Sequence, residues 1–154
     1  MDFTNPITMR DCWIVNDDVM GGVSHSALRQ DTQGMYFEGQ VSLENNGGFA
    51  SMRSSAQFPL GTQLLELLAK GDGKQYKLIL RTALAPRVNY AADFIAVANW
   101  QTHQFNSNQF KSTFRGQDIY APALSFADVI EFGILISNSQ AGRFAIQLKT
   151  LQSA

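Results

Sequence analysis

The sequence predicts an all-β fold, an antiparallel sandwich or barrel, and two observations predict it. Short segments alternate apolar and polar residues with period two, the mark of half-buried strands. Clusters of Gly, Asn, Asp and Ser separate those segments where turns belong. Many short strands at this spacing suit a sandwich or barrel. No linker-like tract, low-complexity segment or repeat interrupts the 154 residues, so residues 1–154 read as one domain. A domain of that size buries about 70% of its unfolded surface.

Taken in order, the first alternating segment covers residues 37–43. Phe37, Val41 and Leu43 share one face, with Glu38, Gln40 and Ser42 opposite. The turn Asn46-Gly47-Gly48 follows. Residues 64–70 (Leu-Leu-Glu-Leu-Leu-Ala-Lys) are strong helix formers, but the run is short for a helix. The Gly71-Asp72-Gly73 turn and the alternation after it fit a hairpin equally well, and strand is the preferred reading. Next, Tyr76, Leu78 and Leu80 oppose Lys77, Ile79 and Arg81. Phe94, Ala96, Ala98 and Trp100 alternate against Ile95, Val97 and Asn99. A turn at Asn106-Ser107-Asn108 precedes a short helix or turn expected within residues 125–129, where Ser125 is placed to cap. Ile130, Phe132, Ile134 and Ile136 alternate with Glu131, Gly133 and Leu135. After the turn at residues 138–142, Phe144, Ile146 and Leu148 close the series opposite Ala145, Gln147 and Lys149.

Composition narrows the function classes. Acids and bases nearly balance, with a net charge of -1, which argues against general nucleic-acid binding, since that needs a basic stripe. No apolar run approaches the roughly 20 residues that span a bilayer. The start, Met1-Asp2-Phe3-Thr4-Asn5-Pro6, reads as neither a signal nor a transit peptide. Cys12 is the single cysteine, so no internal disulfide is expected. Cytoplasmic residence is the simplest expectation.

The densest chemistry lies in the first third, in two glycine-rich polar loops. Asn16-Asp17-Asp18 offers oxygen ligands to a cation, or side chains that cap turns. Turn capping is preferred, because no D-x-D-x-D-G loop is present. Met20-Gly21-Gly22-Val23-Ser24 lacks the G-x-x-x-x-G-K pattern of a phosphate loop and reads as a tight turn. Ser24 lacks the context of a nucleophile, and nothing local presents His25 as its base. His25 and His103, the two histidines, with Cys12 fall short of a zinc set. No metal, cofactor or catalytic residue is therefore expected. Arg81, inside an apolar strand pattern, needs a carboxylate, with Asp17, Asp18 or Asp72 as candidates. Trp13, Trp100, Tyr76, Tyr90 and Tyr120 are either core or a platform for a sugar or partner.

Several of these residues together resemble the complex I intermediate-associated protein 30 family. The resemblance rests on Trp13, residues 15–26, Phe37-Glu38-Gly39, residues 44–53, and Lys70-Gly71-Asp72-Gly73-Lys74 with Tyr76. It continues through Trp100, Phe110, Arg115-Gly116 and Gly142-Arg143-Phe144. It implies a jelly-roll antiparallel β-sandwich, galactose-binding-domain-like, and a strand at residues 64–70. Mitochondrial relatives act as assembly factors for respiratory complex I (NADH:ubiquinone oxidoreductase). This chain reads as the core domain without a transit peptide or long N-terminal extension, a form that looks bacterial.

The expected function is a non-catalytic binding module for a protein partner, with an assembly or chaperone-like role, respiratory-complex intermediates among the candidate partners. A carbohydrate-binding module is the second reading, and an enzyme the third. The expected binding residues are Asp17, Asp18, Met20, Asn45, Asn46, Arg53 and Asp72 on loops at one end of the sandwich, with Trp100 or Tyr90 as a sugar platform. Arg53 is read as a loop anchor.

Overall fold

The computed structural model describes residues 1–16, 24–42, 48–137 and 140–154. Among them run a short helix and twelve strands. In chain order these are α1 (Pro6–Arg10), β1 (Cys12–Asn16), β2 (His25–Asp31), β3 (Gly34–Val41), β4 (Ala50–Ser55), β5 (Leu64–Gly71) and β6 (Gln75–Thr82). There follow β7 (Asn89–Ile95), β8 (Gln101–Asn106), β9 (Lys111–Phe114), β10 (Gln117–Asp118), β11 (Val129–Ile136) and β12 (Gly142–Ser153). Seven strands form one sheet in the order β1-β4-β11-β6-β7-β9-β10, and five form the other in the order β2-β3-β12-β5-β8. The pairings between these strands are antiparallel. No helix among the described residues is long and apolar enough to cross a membrane.

The alternation read from the sequence sets which side chains face inward. Tyr76, Leu78 and Leu80 of β6 and Phe132, Ile134 and Ile136 of β11 are buried on one sheet. Phe37 of β3, Leu65 and Leu67 of β5, and Ile146 and Leu148 of β12 meet them from the other, in a single cluster. Each such side chain contributes about 1.5–3 kcal/mol by leaving water. Phe37 meets Phe144 edge-on at 5.0 Å, and Phe3, before α1, meets Phe132 at 5.7 Å.

Residues 64–70 are strand despite their helix propensity. Leu65, Leu67 and Ala69 point into the core while Glu66, Leu68 and Lys70 point out, and β5 is paired on both edges by β12 and β8. Tertiary pairing overrides the local preference. The hairpin reading of Gly71-Asp72-Gly73 is corrected: β5 and β6 belong to different sheets, so this turn is a corner between layers. The alternation through residues 94–100 is corrected as well. β7 ends at Ile95, and the chain then crosses to the five-stranded sheet, bonding to the same corner through Ala96 N–H to the Lys74 carbonyl at 3.1 Å. The short turn expected near residue 125 is a 3-10 turn at Phe126–Asp128, but Ser125 makes no side-chain cap. Helix α1 was not expected, although Asn5 caps it and Pro6 opens it, both ordinary start signals.

The turn between β2 and β3 makes stability depend on pH through Asp31. Asp31 Oδ1 accepts from the backbone N–H of Gln33 at 2.8 Å and of Gly34 at 3.2 Å, and from Gln147 Nε2 at 2.9 Å. These bonds, the Gln33 one first, hold the Asp31 carboxyl below its ordinary pKa. A depressed folded-state pKa contributes stability above the unfolded value, about 3.9, and loses it as pH falls through the folded one. Asp31→Asn should therefore flatten the acid limb of melting temperature against pH. An unchanged acid limb would show that Asp31 is not part of it.

Candidate functional site

The seven-stranded sheet turns its outer face into a groove of about 570 Å³, a size typical of binding clefts. Register builds its floor. Arg53 of β4 stands opposite Gly133 of β11, Gly133 opposite Ile79 of β6, Ile79 opposite Ala91 of β7, and Ala91 opposite Lys111 of β9. Gly133 and Ala91 keep the row low on either side of Ile79, while the longer side chains of Arg53 and Lys111 stand at its ends. The β9–β10 hairpin walls one side with Phe114, Arg115 and Asp118, and Val15 and Phe49 line the other.

The lining is rich in cations: Arg53, Lys77, Arg81, Arg87, Lys111 and Arg115. Among the described residues, three carboxylates answer them. Glu131 lies 3.6 Å from Arg53 and 3.5 Å from Arg81, so two guanidiniums share one acid. Arg81 also donates to the Pro86 carbonyl. Lys77 pairs with Asp93 at 2.6 Å, and Asp118 lies in the wall. Burial lowers the Arg53 pKa, Glu131 opposes that, and the charge of Arg81 adds to it. Arg87, Lys111 and Arg115 have no carboxylate at ion-pair distance among the described residues.

Arg53 and Arg81 correct two expectations. Arg53 is no loop anchor; it stands mid-strand on the groove floor, opposite Trp13 of β1. Arg81 finds its carboxylate in Glu131 on the neighbouring strand rather than in Asp17, Asp18 or Asp72.

Asp72, expected at the binding surface, is exposed, but its carboxylate is engaged in hydrogen bonds within the chain. It accepts from Lys74 N at 3.1 Å, from the Tyr76 hydroxyl at 3.1 Å and from Ala145 N at 2.9 Å. Trp100 is half-buried between Lys70 and Lys149, whose ammonium groups lie 5.2 and 5.0 Å from its ring centre, and it does not line the groove. Tyr90 is core, its hydroxyl bonded to the Pro122 carbonyl at 2.7 Å, so it cannot present a face to a sugar. Asp17, Asp18, Met20, Asn45 and Asn46 lie outside the described residues. The two segments that hold them leave the described chain within two residues of Val15 and Phe49, both in the groove lining.

No group of three or more His, Cys, Asp or Glu gathers among the described residues in a way that could hold a metal. His25 and His103 are both outside the groove lining, and burial against Phe94 lowers the His103 pKa. Ser24 hydrogen-bonds Ser42, receiving its N–H at 2.9 Å, and burial raises the Cys12 pKa. The groove can therefore attract and orient anions by charge and guanidinium hydrogen bonds. Arg87 and Arg115 stand out in the sequence with Arg53 and Arg81, as arginines that form internal ion pairs or bind a ligand, whereas sequence reasoning missed Lys77 and Lys111 in the lining and Glu131 as the acid behind Arg53 and Arg81. The alternation sets Lys77 on the face opposite Tyr76, Leu78 and Leu80, but only the strand order shows that basic positions from separate segments share one surface.

The family model for complex I intermediate-associated protein 30 matches residues 1–148. No curated protein matches the sequence. The fold is similar to a Family 11 carbohydrate-binding module from Clostridium thermocellum in complex with a β-1,3-1,4-mixed-linked tetrasaccharide, with a TM-score of 0.66 and 12% identity over 100% of this chain and 94% of that one. It is similar to an agarase with a TM-score of 0.61 and 10% identity, over 100% of this chain but 24% of the agarase. The module BiXyn10A CBM1 is similar with a TM-score of 0.56 and 13% identity, over 100% of this chain and 96% of that one. At such identities the likeness carries the jelly-roll sandwich and nothing finer.

Proposed function

Because this chain belongs to the complex I intermediate-associated protein 30 family, we propose that it is a non-catalytic binding module that holds a partner protein against the outer face of its seven-stranded sheet, as an assembly factor does. One observation carries this reading: a groove with three cations free of ion pairs among the described residues, flanked by exposed apolar side chains. Phe114, Ile119 and Tyr120 are exposed along and just beyond the hairpin wall, and Tyr120 is exposed in full. Protein interfaces combine such aromatic and aliphatic anchors with arginine, and charge complementarity orients the partner. Of the three carboxylates at the groove among the described residues, Asp93 and Glu131 are held in ion pairs, which leaves Asp118 without a second free carboxylate to complete an acid–base pair.

A glycan ligand is the second reading. Trp13 favours it, 41% exposed on the same face beside Arg53, where a sugar ring could stack.

Affinity capture of the tagged protein from its host, followed by mass spectrometry, tests the first reading. The parent chain should enrich a defined protein set, respiratory-complex assembly intermediates among the candidates, and a Lys111→Gln/Arg115→Asn variant should lose it. Capture of the same set by the variant would remove the groove from the account. Enrichment of no protein would give precedence to the glycan.

A further inference from the structure

We infer that the groove takes an extended peptide segment rich in Asp and Glu; this rests on the reading of the groove as a partner-protein site. Charge is the first argument. The chain has twelve Lys and Arg and a net charge of -1, yet six of those twelve line this one groove. Composition does not force such clustering. Like charges held together repel, so the arrangement favours the arrival of carboxylates.

Arg115 is the second argument. Phe114 pairs with Gln117, leaving Arg115-Gly116 as a two-residue hairpin turn. Both residues have positive φ, 51° and 80°. Turns of this kind take Asn, Asp or Gly at the first position, because other side chains crowd the backbone there. An arginine costs backbone energy at this position. Its guanidinium lies in the groove wall, 5.2 Å from the Phe114 ring centre, which gives that cost a use in binding.

Shape is the third. The floor row crosses five strands from Arg53 to Lys111. At roughly 4.8 Å between strands it spans about 19 Å. About six residues of extended chain cover that length. The floor offers guanidinium and ammonium groups rather than flat aromatic faces, which favours carboxylates over neutral sugar rings. The exposed Phe114, Ile119 and Tyr120 give the apolar side chains of a peptide somewhere to pack, which an anionic polysaccharide would leave unused.

Fluorescence polarisation with the intact protein tests this, using labelled octaglutamate, octaglutamine and an eight-unit oligogalacturonate. Octaglutamate should bind at least tenfold tighter than octaglutamine, and its affinity should fall as salt rises. Arg115→Asn and Lys111→Gln should each weaken it several-fold, whereas Lys149→Gln, on the other sheet, should not. Arg115→Asn should melt at or above the parent temperature, since Asn suits this backbone, so its loss of binding cannot be a loss of fold. Equal binding of octaglutamate and octaglutamine would overturn the inference, as would an equal effect of Lys149→Gln. Oligogalacturonate binding tenfold tighter than octaglutamate would also overturn it, assigning the groove to an anionic glycan. A partner captured through the groove by a segment without acidic residues would sink this inference alone and leave the protein-binding reading standing.

Discussion

Asp72→Ala should melt roughly 2–8 °C below the parent protein while binding in the groove stays unchanged. Asp72 sits at the corner where the chain passes from the five-stranded to the seven-stranded sheet. Its carboxylate accepts from the Tyr76 hydroxyl on one sheet and from the Ala145 N–H on the other. Tyr76 is fully buried, and burial followed by the nearby Asp72 charge pushes its hydroxyl pKa far above the ordinary value. The phenol therefore stays protonated and donates. Truncation leaves the buried Tyr76 donor without its acceptor, while water can replace the acceptor of the exposed Ala145 N–H, at a cost of about 1–2 kcal/mol. Asp72→Asn keeps one acceptor oxygen and should fall between the two. A double-mutant cycle with Tyr76→Phe isolates the shared bond. Unchanged melting together with lost partner capture would return Asp72 to the binding surface.

Glu131→Gln should destabilise the fold and tighten the groove at the same time. Glu131 is the shared carboxylate between Arg53 and Arg81, and its removal leaves two guanidiniums facing one another. Breaking a fully buried pair costs about 3–5 kcal/mol. Here the three side chains are 17%, 19% and 28% exposed, so solvent screening reduces the expected cost to about 2 kcal/mol. The groove also loses a negative charge, and octaglutamate should bind several-fold more tightly. Arg53→Ala should cost less stability than Glu131→Gln, because Glu131 keeps Arg81. Thermal melting and the same polarisation titration check both halves. A variant that melts normally, or that binds octaglutamate more weakly, would contradict this electrostatic account.

The sandwich was legible because period-two alternation is written locally. Tyr76, Leu78 and Leu80 face the core as their spacing predicts, and so do Phe132, Ile134 and Ile136. Residues 64–70 were recognisable as a strand against their helix propensity, since the run is short and a turn signal follows. Corners were harder. Residues 94–100 alternate beyond the end of β7, and only the crossing between sheets stops the strand there. Gly71-Asp72-Gly73 looks like a hairpin turn until β5 and β6 are seen in different layers.

The site was less legible than the fold. Dense polar loops drew attention to Asp17, Asp18, Asn45 and Asn46, which lie outside the described residues, and to Asp72, which is spent on the corner. Arg53 was singled out, but its role depends on Glu131, 78 positions later in the chain and adjacent only through the β4–β11 pairing. Lys111 and Lys77 look like ordinary outward strand residues until the strand order places them on one face with Arg53 and Arg81. Positive φ at Arg115 is likewise invisible in the residue type, which does not favour that conformation.

The most direct test of the central claim is photo-crosslinking in the host from a benzophenone side chain at Thr113, in the groove lining, with the same probe at Thr102, exposed on the five-stranded sheet, as control. The account predicts a discrete protein adduct from position 113 and none from position 102, with the adduct reduced in a Lys111→Gln background. Adducts of equal yield from both positions, or a protein adduct from position 102 alone, would contradict it.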